Sequence, residues 1–127
     1  MLIASGQKPD DLKIPGTEYL TDSEQFLELE QLPQRIVFIG GGYIAFEFAH
    51  IALSADAQGT IVHRGVRPLP LLDPGLVDQL VKHTRELGTD VQLGSEAVGV
   101  QKHDNGLTVR TSTAGAQRTM QALIFNW

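Results

Sequence analysis

The sequence predicts an α/β fold in which a parallel βαβαβ unit is followed by an antiparallel meander. The apolar run 36–39 leads directly into three consecutive glycines at 40–42 and then into a helical pattern. A second helical pattern lies between two further short apolar segments, as in a parallel sheet. Late in the chain, the turn signal Asp104-Asn105-Gly106 separates two strand-like segments, which is typical of antiparallel strands.

The first unit is predicted as a strand over residues 35–39, a helix over 42–55 and a strand over 59–63. The first strand is apolar at four successive positions, as expected for a strand with both faces covered. The residues after Gly42 are mostly apolar or small, and they predict a helix packed on the sheet.

A second helix is predicted to begin at Asp73 and to end at Gly88. Asp73 suits the N-cap because its carboxylate can accept from free backbone amides, and Pro74 suits the first helical position. Four residues fall on one face that we expect to be buried: Leu76, Leu80, His83 and Leu87. A third strand is predicted over 91–93.

The last third of the chain predicts the meander. Strands over 97–102 and 107–113 lie on either side of the turn, and residues 119–127 are predicted as a last apolar strand. The first 34 residues have no sustained period and are interrupted by prolines. They predict a short strand, a linker and a small helix over 23–29.

The motif Gly40-x-Gly42-x-x-Ala45, with a strand before it and a helix after it, matches the dinucleotide-binding fingerprint of Rossmann-like units. Gly40 permits the tight turn, Gly42 lets the backbone approach a pyrophosphate, and Ala45 allows close packing of helix on strand. The pyrophosphate would then lie at the amides and the positive dipole end of the helix. The alternative is a glycine-rich turn that holds no ligand.

The composition disfavours several classes of function. The 127 residues carry a formal net charge of −5 with scattered basic residues, which argues against nucleic acid and anionic membranes as partners. The absence of cysteine excludes disulfides, thiolate metal sites and thiol chemistry by this chain. His50, His83 and His103 lack metal-ligand spacing, so no metal site is expected. The first six residues resemble neither a secretion signal nor a membrane helix, and we expect a cytoplasmic location.

From end to end, the chain resembles the NAD(P)H-binding domain of the FAD-dependent pyridine nucleotide-disulfide oxidoreductases, and its motifs are most similar to those of glutathione reductases. The matching segments occur in the family's order: 2–6, 14–16, 23–26, 32–35, 40–49, 62–65 and 72–73. The resemblance implies the three-layer NAD(P)-binding fold of flavin disulfide reductases.

The resemblance also implies a larger flavoenzyme in which NADPH reduces FAD, FAD reduces a cysteine pair, and the pair reduces a disulfide such as glutathione disulfide. The family's FAD fingerprint and cysteine pair would precede Met1, and its catalytic histidine and homodimer interface would follow Trp127. We therefore expect residues 1–30 to be a linker from the FAD domain. Residues 31–127 would be a NAD(P)H-binding domain that binds its cofactor but does not turn over alone.

The residues after the second strand favour NADP(H) over NAD(H). His63 stands where NAD enzymes place a carboxylate that accepts from the ribose hydroxyls. Arg64 matches the family's first phosphate-binding arginine, and a guanidinium can hold a phosphate bidentately. Pro70 occupies the position of the family's second arginine, as in NAD-using relatives. Arg67, in the same loop, is expected to compensate if the loop folds back.

The resemblance assigns further residues to the cofactor site. Ala45 and Ala49 are the choices of NADP-type members, Tyr43 matches a tyrosine that covers the flavin edge, and Glu47 matches an acid that pairs with a lysine near the flavin. No catalytic residue is predicted in this chain. The predicted cofactor-binding residues are Gly40, Gly41, Gly42, Tyr43, Ile44, Ala45, Glu47, His63, Arg64 and Arg67.

Two other functions stay open on the sequence. The chain could be the NADH-binding domain of a related flavoenzyme of the dihydrolipoyl dehydrogenase or mercuric reductase type. It could also be a non-enzymatic nucleotide-binding module that keeps a Rossmann fold. In either case Arg64 and Arg67 could be solvated loop cations that contribute little.

Overall fold

The computed structural model describes residues 1–6 and 8–126, and it has the α/β fold that the sequence predicts. A short 3-10 helix spans Thr17–Tyr19. The helices are α1 (Ser23–Leu27), α2 (Tyr43–Ser54) and α3 (Pro74–Glu86). The strands are β1 (Arg35–Ile39), β2 (Gln58–His63), β3 (Asp90–Leu93), β4 (Ser95–His103), β5 (Gly106–Thr113), β6 (Ala116–Gln121) and β7 (Leu123–Asn126).

The strands form two sheets that match the predicted parallel unit and meander. One sheet is parallel, with the order β3-β2-β1-β7, and the other is antiparallel, with the order β4-β5-β6. In the parallel sheet, Ile39 pairs with Val62 on one side and with Asn126 on the other. The carboxyl ends of β1, β2 and β7 therefore meet at one edge, where the residues that follow each strand are brought together.

The parallel sheet is the middle of three layers. Ile36 and Phe38 face a core cluster that also contains Ala49 of α2 and Val81 of α3. The intervening residues of β1 face a second cluster, built with β4 and β5, that includes Val100 and Val109. Since side chains alternate between the faces of a strand, one apolar run fills both cores.

Helix α3 begins as predicted, because Asp73 caps it through Oδ1, which accepts from the Leu76 amide at 3.0 Å. The predicted buried face is wrong except at Leu80, which is half-buried against the core. Leu76 is 66% exposed, whereas Val77 and Val81 are buried, and Thr84 is buried with them. The helix is rotated so that its smaller β-branched side chains face the sheet. Thr84 also satisfies its hydroxyl there, with Oγ1 3.0 Å from Nε2 of His50.

The predicted single strand over 119–127 is also wrong. The chain leaves β6 at Gln121, turns at Ala122, and enters β7 in the other sheet. The reason is a change of composition: β6 is polar and mostly exposed at the edge of the meander, while β7 carries Ile124 and Phe125, both fully buried beside β1. Trp127 lies outside the described residues.

The N-terminal segment has one helix, as predicted, but α1 is shorter than the predicted 23–29. Asp22 and Gln25 form a capping box, in which the Gln25 amide donates to Oδ1 of Asp22 at 2.9 Å. Before residue 35, the described part of the chain forms no ladder strand, and Thr21 makes an isolated parallel bridge to Phe125. The predicted short strand is therefore not observed in that part. Within the described ranges, no helix combines the length and apolar character needed to cross a membrane.

Phe26 fastens α1 to the parallel sheet. Its side chain is 4% exposed and stacks on Phe48, with the ring centroids 4.8 Å apart. Phe125 meets Phe26 edge-on at 5.7 Å, and Phe38 lies 6.3 Å from it. Aromatic burial of this kind contributes both area and specific geometry. The division of the chain at residues 30 and 31 stays a prediction.

Candidate dinucleotide-binding site

The glycine turn links β1 to α2 at the carboxyl edge of the parallel sheet. Gly40 has φ 111°, in the region that favours glycine, and its amide donates to the Val62 carbonyl at 2.9 Å. The turn is thereby attached to β2. This attachment places the start of α2 next to His63, the last residue of β2.

Gly42 is the N-cap of α2 and leaves the end of the helix open. No side chain caps this end, and Gly42 itself is exposed. A Cβ atom placed on Gly42 would meet no atom within 4 Å. The first amides of a helix have no partner inside the helix and carry its positive dipole end. The space in front of Gly42 can therefore accept an anion such as a pyrophosphate.

Small residues let α2 approach the sheet closely. Ala45 is 2% exposed, and Ala49 and Ala52 are fully buried in the core between α2 and the strands. A larger side chain at these positions would have to push the helix outward. Ala45 therefore packs against the strand as the fingerprint requires of its third small residue.

Gly41, the residue that the fingerprint leaves free, is sterically much more restricted than Gly42. A Cβ atom on Gly41 would lie 2.6 Å from Nδ1 of His63 and 2.8 Å from Cβ of Pro68. The Gly41 carbonyl also accepts from the Leu69 amide at 3.0 Å. The loop over 64–72 therefore rests directly on the glycine turn. Sequence reasoning placed Gly41 in the site but missed this steric reason.

The side chain of His63 connects the end of β2 to the loop that follows it. Its Nε2 lies 3.1 Å from the carbonyl oxygen of Arg67. A carbonyl oxygen can only accept, so Nε2 carries a proton and donates. The ring is half-buried and also lies against Gly65, where an added Cβ would be 2.7 Å from Nε2. No carboxylate stands at this strand end, and the imidazole is used to shape the loop.

The loop presents Arg64 to solvent. Arg64 follows β2 immediately and is exposed, and within residues 1–6 and 8–126 its side chain makes no hydrogen bond or salt bridge. A guanidinium so placed can form charge-assisted, bidentate bonds with a phosphate. Arg64 therefore lies beside the glycine turn with its donors available.

Arg67 differs, because its side chain is paired with Asp78 on α3. Nε of Arg67 donates to Oδ1 of Asp78 at 3.0 Å, and Nη2 donates to Oδ2 at 3.1 Å. The hydrogen bond, and then the charge, of Asp78 raise the pKa of Arg67. The same hydrogen bond is the main reason that the pKa of Asp78 is lowered. Sequence reasoning missed this pair, since a loop residue and a helix residue 11 positions apart share no periodic signal.

The first two turns of α2 carry the remaining predicted residues. Tyr43 is 56% exposed, and Glu47, one turn later, is exposed on the same side of the helix. Ile44 is half-buried against the helical core. Within the described residues Glu47 forms no salt bridge. Tyr43 and Glu47 thus present an aromatic ring and a carboxylate side by side near the open helix end.

A concavity lies at the N-terminal segment, with a volume of about 610 Å³. It is lined by residues 8–12, by residues 17–24 in part, and by Asn126 at the end of β7. Five of its lining side chains are acidic and one is a lysine. That charge balance is unsuited to the phosphates of a dinucleotide, and the site at Gly42 and Arg64 is the better candidate.

Comparisons with known proteins agree with this fold. A model of the pyridine nucleotide-disulphide oxidoreductase family matches residues 1–125. Glutathione reductase from Yarrowia lipolytica is 34% identical over 128 residues, covering 98% of this chain and 27% of the relative. Dihydrolipoyl dehydrogenase from Haloferax volcanii is 32% identical over 116 residues, covering 88% of this chain and 24% of the relative.

The fold also matches a solved structure. The HOCl-induced flavoprotein disulfide reductase RclA from Escherichia coli superposes with a TM-score of 0.77 and 29% identity. The match covers 93% of this chain and 27% of that protein. The chain thus spans about a quarter of the length of the relatives that it matches. On the family match, the chain belongs to the pyridine nucleotide-disulphide oxidoreductase family.

Proposed function

We propose that this chain is the NADPH-binding domain of a flavoprotein disulfide reductase of the glutathione-reductase type. The observation that carries the proposal is the pairing of an open helix end at Gly42 with an exposed Arg64 one strand away. These two features offer separate sites for the pyrophosphate and for the 2′-phosphate of NADPH.

Gly40, Gly41 and Gly42 hold the pyrophosphate in this proposal. The free amides at the start of α2 donate to its oxygens, and the helix dipole favours its negative charge. The absence of a Cβ on Gly42 leaves the approach clear. Ala45 keeps the helix close enough to β1 for this geometry to be maintained.

Arg64 holds the 2′-phosphate. A hydrogen bond to a charged group contributes about 1.5–3 kcal/mol, which corresponds to roughly a tenfold to hundredfold preference for the phosphorylated cofactor. His63 supports the preference because it places no negative charge at the end of β2. Arg67 is a further predicted contact, although its fork is occupied by Asp78.

Tyr43 and Glu47 lie toward the nicotinamide end. By resemblance to the family, Tyr43 covers the flavin until the nicotinamide displaces it, and Glu47 pairs with a lysine near the flavin. Bound NADPH supplies a hydride to FAD, and the parent protein passes the electrons to a cysteine pair and a disulfide such as glutathione disulfide. Residues 31–127 form the cofactor domain and residues 1–30 its link to the FAD domain. The parent is a homodimer.

An NADH-binding domain is the second candidate, and Pro70 favours it. Pro70 is exposed at the position of the family's second phosphate-binding arginine. The side chain of Arg67 is paired with Asp78. Among the described loop residues, Arg64 is therefore the one unpaired cation available to a phosphate. If one guanidinium is insufficient, the domain does not discriminate between the two cofactors.

The test is calorimetric titration of NADPH and NADH into the wild-type chain, R64A and R118A. Arg118 lies on the exposed edge strand β6 and controls for the loss of one positive charge. We expect R64A to lower NADPH affinity roughly tenfold to hundredfold and to leave NADH affinity nearly unchanged, with R118A resembling the wild type. Equal losses in R64A and R118A, or equal wild-type affinity for both cofactors, would overturn the assignment of Arg64.

A further inference from the structure

We infer that Asp78 is a specificity-determining residue, which holds Arg67 away from the cofactor and so limits the preference for a 2′-phosphate. The inference rests on the proposed function, because it concerns the same nucleotide site. It assigns a role to a side chain on α3, outside the fingerprint and outside the loop that follows β2.

The backbone of Arg67 is fixed close to the glycine turn. Its carbonyl accepts from His63, whose ring lies on Gly41, and the Leu69 amide two residues later donates to the Gly41 carbonyl. Arg67 also lies three residues after Arg64 in the same loop. A side chain that starts here can be directed toward the nucleotide or toward α3.

The Arg67 side chain is directed toward α3. Its Nε and Nη2 atoms meet the two carboxylate oxygens of Asp78 at 3.0 and 3.1 Å, which occupies one complete edge of the guanidinium. A guanidinium offers two such bidentate edges to a phosphate, and the contact with Asp78 uses one of them. A 2′-phosphate that approaches the loop therefore meets a guanidinium whose positive charge is offset by the carboxylate of Asp78.

The pair can also be exchanged. The side chains of Arg67 and Asp78 are 47% and 62% exposed, so water competes with the contact. Exposed ion pairs are individually weak. Removal of the carboxylate should therefore release Arg67 to the phosphate without a large effect on folding. A competing possibility has the opposite sign: Asp78 could orient Arg67 for the phosphate, and its loss would then weaken NADPH binding.

The experiment is titration of NADPH and NADH into wild type, D78N, R67A, the R67A/D78N double variant and E86Q. Asparagine preserves the shape of the side chain, and thermal unfolding confirms that each variant folds. Glu86 is an exposed acid at the end of the same helix, so E86Q controls for the loss of one negative charge. We expect D78N to raise NADPH affinity by about threefold to tenfold, with NADH affinity unchanged.

Three results would overturn the inference. An NADPH affinity that is unchanged or lower in D78N would show that Asp78 is neutral or orients Arg67. An equal gain in NADPH affinity in E86Q would show that the change in net charge, and not the position of Asp78, causes the effect. A gain that persists in R67A/D78N relative to R67A would show that Arg67 is not involved. The proposed function fails separately: it falls if wild-type affinity for NADPH does not exceed that for NADH and does not depend on Arg64. In that case the inference falls with it.

Discussion

The imidazole of His63 lies directly over Gly41, so close that an added Cβ on the glycine would be 2.6 Å from Nδ1 of the ring. This contact joins the turn that would hold the pyrophosphate to the loop that would hold the 2′-phosphate. It explains why the free middle position of the fingerprint is a glycine here. Gly41 is thus expected to have a steric role and Gly42 a ligand-binding role, and substitution of each glycine in turn can distinguish the two.

Gly41→Ala is expected to destabilise the fold, whereas Gly42→Ala is expected to impair nucleotide binding. A methyl group on Gly41 is blocked by both His63 and the rigid ring of Pro68, and overpacking of this kind costs about 1–3 kcal/mol. A methyl group on Gly42 meets only open space, and the change at an N-cap costs about 0.5–1 kcal/mol. Urea unfolding of both variants measures the loss of stability, and NADPH titration of both measures the loss of binding.

The two glycine variants also test the site against a turn that holds no ligand. In the proposed site, the Gly42→Ala methyl group lies where the pyrophosphate must approach. Wild-type NADPH affinity in Gly42→Ala would therefore contradict the placement of the pyrophosphate, even if Gly41→Ala is destabilised as expected.

His63→Asp is expected to reverse the cofactor preference. A carboxylate at the end of β2 repels a 2′-phosphate and can accept from the ribose hydroxyls. Like charges placed together are costly, so NADPH affinity should fall by about tenfold or more, while NADH affinity is kept or rises. His103→Asp is the control, because His103 lies at the far end of β4, next to Thr108. A similar change in both variants would mean that net charge, and not position 63, sets the preference.

The ion pair with Arg67 is expected to lower the pKa of Asp78 measured by acid titration. The hydrogen bond and charge of Arg67 lower the pKa of Asp78 in the folded chain. A lowered folded pKa contributes stability above the unfolded value of about 3.9, and this contribution is lost as pH falls through the lower folded pKa. Carbon-13 NMR of the Asp78 carboxyl group should show a midpoint below the ordinary value, and R67A should raise it. The same midpoint in both proteins would show that the ion pair does not form in solution.

Phe26→Ala is expected to reduce the free energy of unfolding by about 3–5 kcal/mol, because a buried aromatic side chain is lost from the sheet core. Leu27→Ala, at the neighbouring position, is 70% exposed and should change stability by less than about 0.5 kcal/mol. Denaturant unfolding of both variants provides the comparison. Equal small effects would indicate that Phe26 does not pack into the sheet core in solution.

The sequence was most informative where one local pattern determines the structure. The apolar run of β1 and the glycines after it predict the strand, the turn and α2 closely. The N-cap at Asp73 likewise predicts where α3 begins. In these cases the hydrogen bonds and packing that define an element involve residues near one another in the chain.

Prediction failed where the outcome depends on distant contacts. The rotation of α3 depends on Thr84 and its bond to His50 of α2, and apolar spacing alone favoured the face that contains Leu76. The predicted strand over 119–127 is split because its second half, β7, pairs with β1 in the parallel sheet while its first half, β6, pairs with β5. This pairing involves residues far apart in the chain. In the candidate site, the positions of His63 and Arg64 after β2 follow from the sequence, and their roles stay predictions. The contact of Arg67 with Asp78 requires the folded loop.

Recognition of a 2′-phosphate is tested first by titrating the wild-type chain with NADPH and with NADH at low and at moderate salt. We expect tighter binding of NADPH, with an advantage that shrinks as salt screens the phosphate from Arg64. Equal or tighter binding of NADH at both salt concentrations would contradict the claim that this loop recognises a 2′-phosphate.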